Sequence, residues 1–281
     1  MFWQTSRRKL VLDRPIVMGI VNVTPDSFSD GGRFDSFDSA VKRAEEMIVE
    51  GADIIDVGGE STRPGSERVS VQDEIDRVVP VIEGVVKRFD VPVSIDTSKS
   101  KVAEVAVAAG AEVINDISGL RFDKRIAEIA AKNNSGLVLM HSRGEFETMH
   151  SQAAAADIFT DVAADFRRSI AVAKASGIKD EQILLDVGIG FGKTQEQNVE
   201  LIANLDRLIA EFPDHPLLVG ASRKSFIGKL LGVPIASDRL HGSLAAAAIA
   251  AWNGAKVLRV HDVRETVEVL KMVSAFSSKR I

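Results

Sequence analysis

Cysteine is absent from the 281-residue sequence, which excludes disulfides, thiolate metal sites and thiol catalysis. No apolar run is long enough to span a bilayer. The basic segment 7–9 is followed by too few apolar residues before Asp13 to form a signal peptide. The formal net charge of -5 gives no reason to expect nucleic acid or a membrane surface as a partner. These absences predict a soluble, cytoplasmic protein.

What the sequence does contain is a regular alternation of short apolar runs with helical patterns. Alternating strands and helices are typical of a parallel sheet with right-handed crossovers. Eight such repeats favour a closed barrel over an open sheet. We therefore predict an α/β fold, a (β/α)₈ TIM barrel forming a single domain over residues 1–281, with 1–14 as a short N-terminal extension. The runs lie at 15–23, 51–57, 91–95, 112–114, 136–140, 183–185, 216–220 and 256–258.

Polar residues follow these apolar runs where the strands should end. In a TIM barrel the active site lies at that end. One polar strand end is usually a turn or cap residue. A converging set of carboxylates, amides and cations instead needs a ligand to balance it. The set comprises Asn22, Asp96, Asn115, Asp186, Lys224, Arg259 and His261.

The polar set divides into two chemical groups. Asp96, Asn115 and Asp186 offer acceptors and an amide that suit the N–H edge of a planar heterocycle. The second group supplies cations, a hydroxyl and an amide oxygen, which suit a phosphate or diphosphate with a divalent ion. Its members are Asn22, Thr62, Arg63, Arg259 and His261, with the ion expected at Asn22.

Two further features carry weaker signals. The glycine-rich segment 188–194 resembles a phosphate-binding P-loop, but only three residues separate Gly188 from Gly192, where that motif needs four. It fits better as a loop that lets a planar ligand approach the backbone, with Phe191 as either a wall of the site or a loop anchor. His141 ends an apolar run and is expected to be a hydrogen-bonded core residue.

Several motifs resemble those of the dihydropteroate synthase family, and together they extend over residues 15–275. The two longest are highly specific. In chain order the motifs are 22–32 (NVTPDSFSDGG), 56–65 (DVGGESTRPG), 94–97 (SIDT), 114–116 (IND), 190–193 (GFGK), 222–225 (SRKS) and 259–262 (RVHD).

The resemblance implies an enzyme that joins p-aminobenzoate to a dihydropterin diphosphate ester with the help of Mg²⁺. It also implies a homodimer and competition by sulfonamides. The residues it assigns to the pterin are Asp96, Asn115, Asp186, Lys224 and Phe191. Those assigned to diphosphate are Asn22 (with the metal), Thr62, Arg63, Arg259 and His261. Those assigned to p-aminobenzoate are Phe28, Pro64, Phe191, Lys224 and Ser225. Those assigned to catalysis are Asp96, Arg63, Lys224, Arg259 and His261.

The implied reaction is consistent with these residue types. Departure of diphosphate leaves a cation that the pterin and Asp96 can stabilise, while the cationic group stabilises the leaving anion. An arylamine is neutral at pH 7, so no strong base is needed. Loop closure about the glycine pairs 31–32 and 58–59 would exclude water.

Two departures from the family pattern and two alternatives accompany this interpretation. Val187 replaces the usual proline, and segment 142–149 lacks another, so the conformation of both loops is open. A related pterin-binding methyltransferase would not need the diphosphate cations. A non-catalytic pterin-binding protein would be expected to have lost one of the charged site residues.

Overall fold

The structure, a computed structural model, describes residues 1–24, 33–63 and 65–279. Eight parallel strands close into a barrel in the order β3-β4-β5-β6-β7-β8-β9-β10, which confirms the predicted fold. They follow a short hairpin, β1-β2. The strands are Phe2–Gln4 (β1), Lys9–Val11 (β2), Ile16–Asn22 (β3), Ile54–Gly58 (β4), Val93–Asp96 (β5), Val113–Asp116 (β6), Gly136–Met140 (β7), Ile183–Asp186 (β8), Leu217–Val219 (β9) and Val257–Val260 (β10).

Helices connect successive barrel strands and cover the outside of the barrel. They are Arg33–Glu50 (α1), Val71–Arg88 (α2), Ser100–Ala108 (α3), Arg125–Asn133 (α4), Ile158–Ala175 (α5), Gln195–Ala203 (α6), Leu205–Glu211 (α7), Ser225–Leu231 (α8), Leu240–Trp252 (α9) and Val263–Ser277 (α10). The sequence predicted one helical face over 199–212, whereas the chain breaks at Asn204 into two helices. It also did not predict α8.

Local sequence explains where these elements begin and end. Ser70 caps α2, because its Oγ accepts the backbone N–H of Asp73 at 3.1 Å. Gly51 follows α1 with a φ of 104°, which a residue with a Cβ rarely adopts. Strands such as β4 and β7 are buried at every position, as expected for parallel strands covered on both faces.

Strand register brings the predicted polar residues to one level of the barrel. Asp96 on β5 lies beside Gly58 on β4 and beside Asn115 on β6. Met140 on β7 is paired with Asp186 on β8. The carboxyl ends of these strands therefore form one rim, at the end where βα-loops begin.

The N-terminal hairpin is anchored at the opposite end of the barrel. Trp3 is fully buried, and its indole Nε1 donates to the carbonyl of Gln182 at 2.9 Å, just before β8 begins. Glu112, just before β6, accepts from the Thr5 hydroxyl at 2.6 Å and pairs with Arg8 at 3.0 Å. The sequence indicated only an extension here, because strands of three residues carry almost no periodicity.

Across the described ranges, all the helices are too short or too polar to cross a bilayer.

Candidate active site

A pocket lies at the rim where the polar strand ends meet. The structure thus brings together seven of the residues predicted for the site. Those seven are Thr62, Asp96, Asn115, Asp186, Phe191, Lys224 and Arg259. Gly188 and Ile189, from the glycine-rich segment noted in the sequence, also line it, and residues that the sequence did not single out complete the lining: Ile117, Met140 and Gly220.

An ion-pair network crosses the floor of this pocket. The Arg259 guanidinium donates from Nε to Asp56 Oδ2 at 2.7 Å and from Nη2 to Asp96 Oδ2 at 2.5 Å. The Asn115 amide nitrogen donates to the same Asp56 oxygen at 3.1 Å. Asp56 was not among the predicted site residues, because it lies inside the apolar run of β4 and reads as part of a strand.

Burial and charge act against each other in this network. Burial raises the pKa of Asp96 to about 7, whereas the neighbouring Arg259 acts to lower it. Burial acts to lower the pKa of Arg259, but Asp56 and Asp96 reverse that effect and hold it above its usual value. The guanidinium therefore stays charged and favours the ionised form of Asp96.

The loop after β8 forms one wall of the pocket. Asp186 Oδ1 accepts the Gly188 N–H at 2.8 Å, and Gly188 has a φ of 66°. The Lys224 ammonium donates to the Ile189 carbonyl at 2.7 Å and lies 4.0 Å from the centroid of the Phe191 ring. Burial lowers the pKa of Lys224 to about 8, while Asp186 opposes the shift. Phe191 thus lines the pocket and also anchors the lysine.

Lys193 belongs to the loop itself and does not face a phosphate. Its ammonium donates to the carbonyls of Gly188 at 2.7 Å and Phe191 at 3.1 Å, and it lies 2.8 Å from His141 Nδ1. The His141 carbonyl lies at 3.4 Å as well, so protein acceptors account for the N–H bonds of this ammonium. The contacts exclude a P-loop role and confirm His141 as a buried, hydrogen-bonded residue.

The loop after β4 carries Thr62 and Arg63 over the opposite wall. Both of its ends are fixed, because Glu60 accepts from the Val69 N–H at 2.7 Å and pairs with Lys99 at 2.7 Å. Arg63 is exposed. The sequence did not single out His150, whose ring nitrogens contact the carbonyls of Thr62 at 2.7 Å and Gly190 at 3.2 Å.

The remaining predicted residues that the structure describes are not part of the pocket lining, and the others lie outside the described ranges. Asn22 Oδ1 and Asp96 Oδ2 lie close to the same point beside Gly58. A Cβ atom added to Gly58 would be 3.8 Å from the first oxygen and 3.7 Å from the second. His261 Nδ1 lies 3.1 Å from the Ser222 hydroxyl, and burial, reinforced by nearby arginines, lowers its pKa to about 3. Ser225 is exposed at the start of α8. Phe28 and Pro64 lie outside the described residues, as does the glycine pair 31–32.

Comparison with known proteins points to one family. Residues 18–261 match the family model described as "Pterin binding enzyme". The dihydropteroate synthase of Clostridium beijerinckii is 51% identical over 261 residues, which cover 92% of this chain and 93% of that protein.

Solved structures give the same result. The Yersinia pestis dihydropteroate synthase, solved as a complex with a sulfonamide drug, superposes with a TM-score of 0.92 at 47% identity, covering 99% of this chain and 100% of that one. The Xanthomonas albilineans dihydropteroate synthase, solved with 7,8-dihydropteroate, superposes with a TM-score of 0.89 at 41% identity, covering 99% of each chain.

Proposed function

Because this chain belongs to the dihydropteroate synthase family of transferases, we propose that it condenses p-aminobenzoate with (7,8-dihydropterin-6-yl)methyl diphosphate. The products are 7,8-dihydropteroate and diphosphate. The observation that carries the proposal is the pocket floor, where Arg259, Asp96, Asn115 and Asp186 meet at one rim of the barrel. Those groups combine acceptors for a heterocycle with a cation for the leaving group.

The pterin occupies the floor of the pocket in this proposal. Asp186 keeps one carboxylate oxygen for the ring, since the other accepts the Gly188 N–H. Asn115 and Asp96 line the same pocket and add acceptors for further N–H groups. Lys224 places an ammonium beside the ring, while Phe191 supports that lysine.

The diphosphate lies toward the rim, among the cations. Arg259 and Arg63 supply the positive charge on this side, and Thr62 and the neutral His261 add hydrogen-bonding groups. Asn22 offers one amide oxygen to Mg²⁺. Across residues 1–24, 33–63 and 65–279, three or more His, Asp or Glu residues do not gather to form a metal cage. A single protein oxygen, that of Asn22, fits Mg²⁺, which often binds one or two protein oxygens together with water and substrate phosphates. When bound, the ion would neutralise charge on the leaving diphosphate.

We propose a dissociative reaction. The bond between the methylene carbon and the diphosphate oxygen breaks first, and its electron pair leaves with the oxygen. The resulting cation is delocalised into the dihydropterin, and the Asp96 carboxylate on the pocket floor stabilises it. The amine of p-aminobenzoate then forms the C–N bond and loses a proton. Arg63, Arg259 and His261 stabilise the departing anion.

p-Aminobenzoate enters above the pterin. We assign its site to Phe28, Pro64, Phe191, Lys224 and Ser225. Sulfonamides share its ring and its para amine, so they should compete for this site. An inhibition constant far above the KM for p-aminobenzoate would contradict this assignment.

We also propose a homodimer. Helices α8, α9 and α10 carry large apolar side chains that are 40–60% exposed. The side chains are Leu230, Leu231, Ile249, Trp252, Met272 and Phe276. A second copy of the chain would bury them. Light scattering on the purified protein measures the mass directly, and a monomer at micromolar concentration would reject this part of the proposal.

The central test is diphosphate release by purified protein in the presence of Mg²⁺. Release should require both the pterin ester and p-aminobenzoate, and 7,8-dihydropteroate should appear in equal amount. A methyltransferase or a non-catalytic pterin-binding protein would bind pterin without releasing diphosphate. The absence of release with both substrates present would reject the proposed function.

A further inference from the structure

Asp56 lies below the pocket and was not among the residues predicted for the site. It is 0% exposed and lies two residues before Gly58 on β4, on the same face of the strand. Its Oδ2 atom accepts two hydrogen bonds, from Arg259 Nε at 2.7 Å and from Asn115 Nδ2 at 3.1 Å. One carboxylate oxygen therefore joins strands β4, β6 and β10.

This contact decides which way the Asn115 amide points. Asp56 Oδ2 accepts from the amide nitrogen, so Asn115 turns its nitrogen, and not its oxygen, toward Asp56. Asn115 Oδ1 then lies on the other side, where it is buried and has no hydrogen-bond partner among the described residues. Because Asn115 lines the pocket, that oxygen is available to an N–H group of a ligand.

The same contact fixes the plane of Arg259. A guanidinium is rigid and planar, so two bonds to different nitrogens determine its orientation. Nε is bound by Asp56 and Nη2 by Asp96. Neither of these two contacts uses Nη1. Without Asp56, a single contact would hold the group and leave it free to turn about the bond to Asp96.

We infer that Asp56 is a positioning residue, which orients the amide that binds the pterin and the guanidinium that faces the diphosphate. This inference rests on the proposed function, since it assigns ligands to Asn115 and Arg259. Asp56 contacts neither substrate and acts through these two neighbours. Its Oδ2 atom thereby links the residue that binds the pterin to the residue that faces the diphosphate.

Two variants of Asp56 test the inference. Asp56→Asn keeps the shape, but its amide no longer dictates which end of Asn115 faces the pocket. Asp56→Ala removes the acceptor and leaves buried donors unpaired. We expect the dissociation constant of 6-hydroxymethylpterin, measured by calorimetry, to rise about tenfold in Asp56→Asn and about a hundredfold in Asp56→Ala. The inhibition constant of free diphosphate should rise in the same order. The KM for p-aminobenzoate should stay within about twofold, since neither neighbour is assigned to it.

Asp116 provides a matched control. It is also 0% exposed at the end of a barrel strand, but it accepts from the Ser118 and Leu120 N–H groups at 2.8 and 2.7 Å. Asp116→Asn should lower the denaturation midpoint and leave pterin and diphosphate affinities unchanged. If Asp56→Ala behaves like Asp116→Asn, with lost stability and normal affinities, the inference is wrong. An equal rise in the KM for p-aminobenzoate would also overturn it, as a general loosening of the pocket.

A double-mutant cycle identifies the route of the effect. In an Asn115→Ala background, Asp56→Asn should weaken pterin binding by less than about twofold, because the group it orients is gone. A full tenfold loss in that background would contradict action through Asn115. Calorimetry needs no turnover. A wild-type protein that binds pterin but does not release diphosphate would therefore reject the proposed function while still testing Asp56.

Discussion

The two sides of the barrel mouth differ in how firmly their charged groups are held in the absence of a ligand. On the strand side, Arg259 pairs with Asp56 at 2.7 Å and with Asp96 at 2.5 Å. On the loop side, the exposed Arg63 belongs to a segment held by its two ends and by the His150 contact with Thr62. The first group is built into the barrel, and the second group lies on a loop that covers it.

The difference follows from what each group must do. A planar ring needs a fixed set of donors and acceptors, and residues on rigid strands provide such precision. A leaving diphosphate has to enter and depart, which suits side chains on a loop. We therefore expect changes on the strand side to affect both folding and catalysis, and changes on the loop side to affect catalysis alone.

The largest effect should come from Arg259→Met. It removes the guanidinium from between Asp56 and Asp96 and leaves two carboxylates close together without their counter-charge. The free energy of unfolding should fall by about 3–5 kcal/mol, measured by urea denaturation. Diphosphate release should fall by roughly a thousandfold or more. Arg125→Met removes an exposed arginine on α4 and should match the wild type in both measurements. Normal stability of Arg259→Met would contradict the expectation that strand-side residues contribute to folding and loop-side residues do not.

Arg63→Met should give the second largest effect and the opposite pattern. Loss of this cation should lower kcat/KM for the pterin ester about a hundredfold. The urea denaturation midpoint should not move, because the side chain is exposed. Arg68→Met changes another exposed arginine of the same loop and should cost less than about tenfold. A large loss of stability in Arg63→Met would mean that this loop is part of the core structure.

The pH profile should sharpen the comparison at Lys224. Its pKa is lowered to about 8, so kcat/KM should fall about tenfold for each pH unit above 8 as the ammonium loses its proton. The contribution of Lys224 to the free energy of unfolding should instead rise with pH over the same range. Between pH 8 and the ordinary lysine value the unfolded chain binds the extra proton, so this group makes unfolding less favourable as pH rises.

Lys224→Arg keeps its charge and should lose the alkaline limb of the activity profile while retaining part of the activity. An unchanged limb in Lys224→Arg would assign it to another group. Burial also lowers the pKa of Lys193 to about 7, so the profile of Lys193→Met is needed to separate the two lysines.

The smallest effect should come from His150→Ala. This change removes the contacts with the Thr62 and Gly190 carbonyls, and with them the bridge between the loops after β4 and β8. We expect the KM for p-aminobenzoate to rise about threefold, with little change in stability. Ser151→Ala, at the next position of the same loop, should have no effect. A hundredfold rise in this KM would mean that His150 acts as the strand-side residues do.

The fold and the outer part of the site could be predicted from sequence for a physical reason. Short apolar runs must be buried strands, and a polar residue such as Asp96 or Asp186 directly after one must lie at the barrel mouth. The existence of the strands follows from local pattern, and their sequential order follows because helical crossovers join neighbouring parallel strands. The motifs then related these positions to a known family, and Asp96 and Asp186 line one pocket.

The inner part of the site could not be predicted in the same way. Asp56 has apolar neighbours in sequence, and its partners Asn115 and Arg259 are 59 and 203 residues away. His150 lies in a segment without periodicity, and its partners Thr62 and Gly190 are distant in sequence. Such residues acquire their roles from pairings that only the closed barrel creates.

The N-terminal hairpin has a practical consequence for experiments on this protein. Because Trp3 is anchored beside the residue that precedes β8, the first residues of the chain lie at the end of the barrel away from the pocket. Immobilisation through a linker at Met1 would therefore leave the mouth turned toward solution, so that binding sensors report on an accessible site. A tag that displaces Trp3 would instead weaken the closure of the barrel at its base. Linker length becomes a design variable in every measurement proposed above.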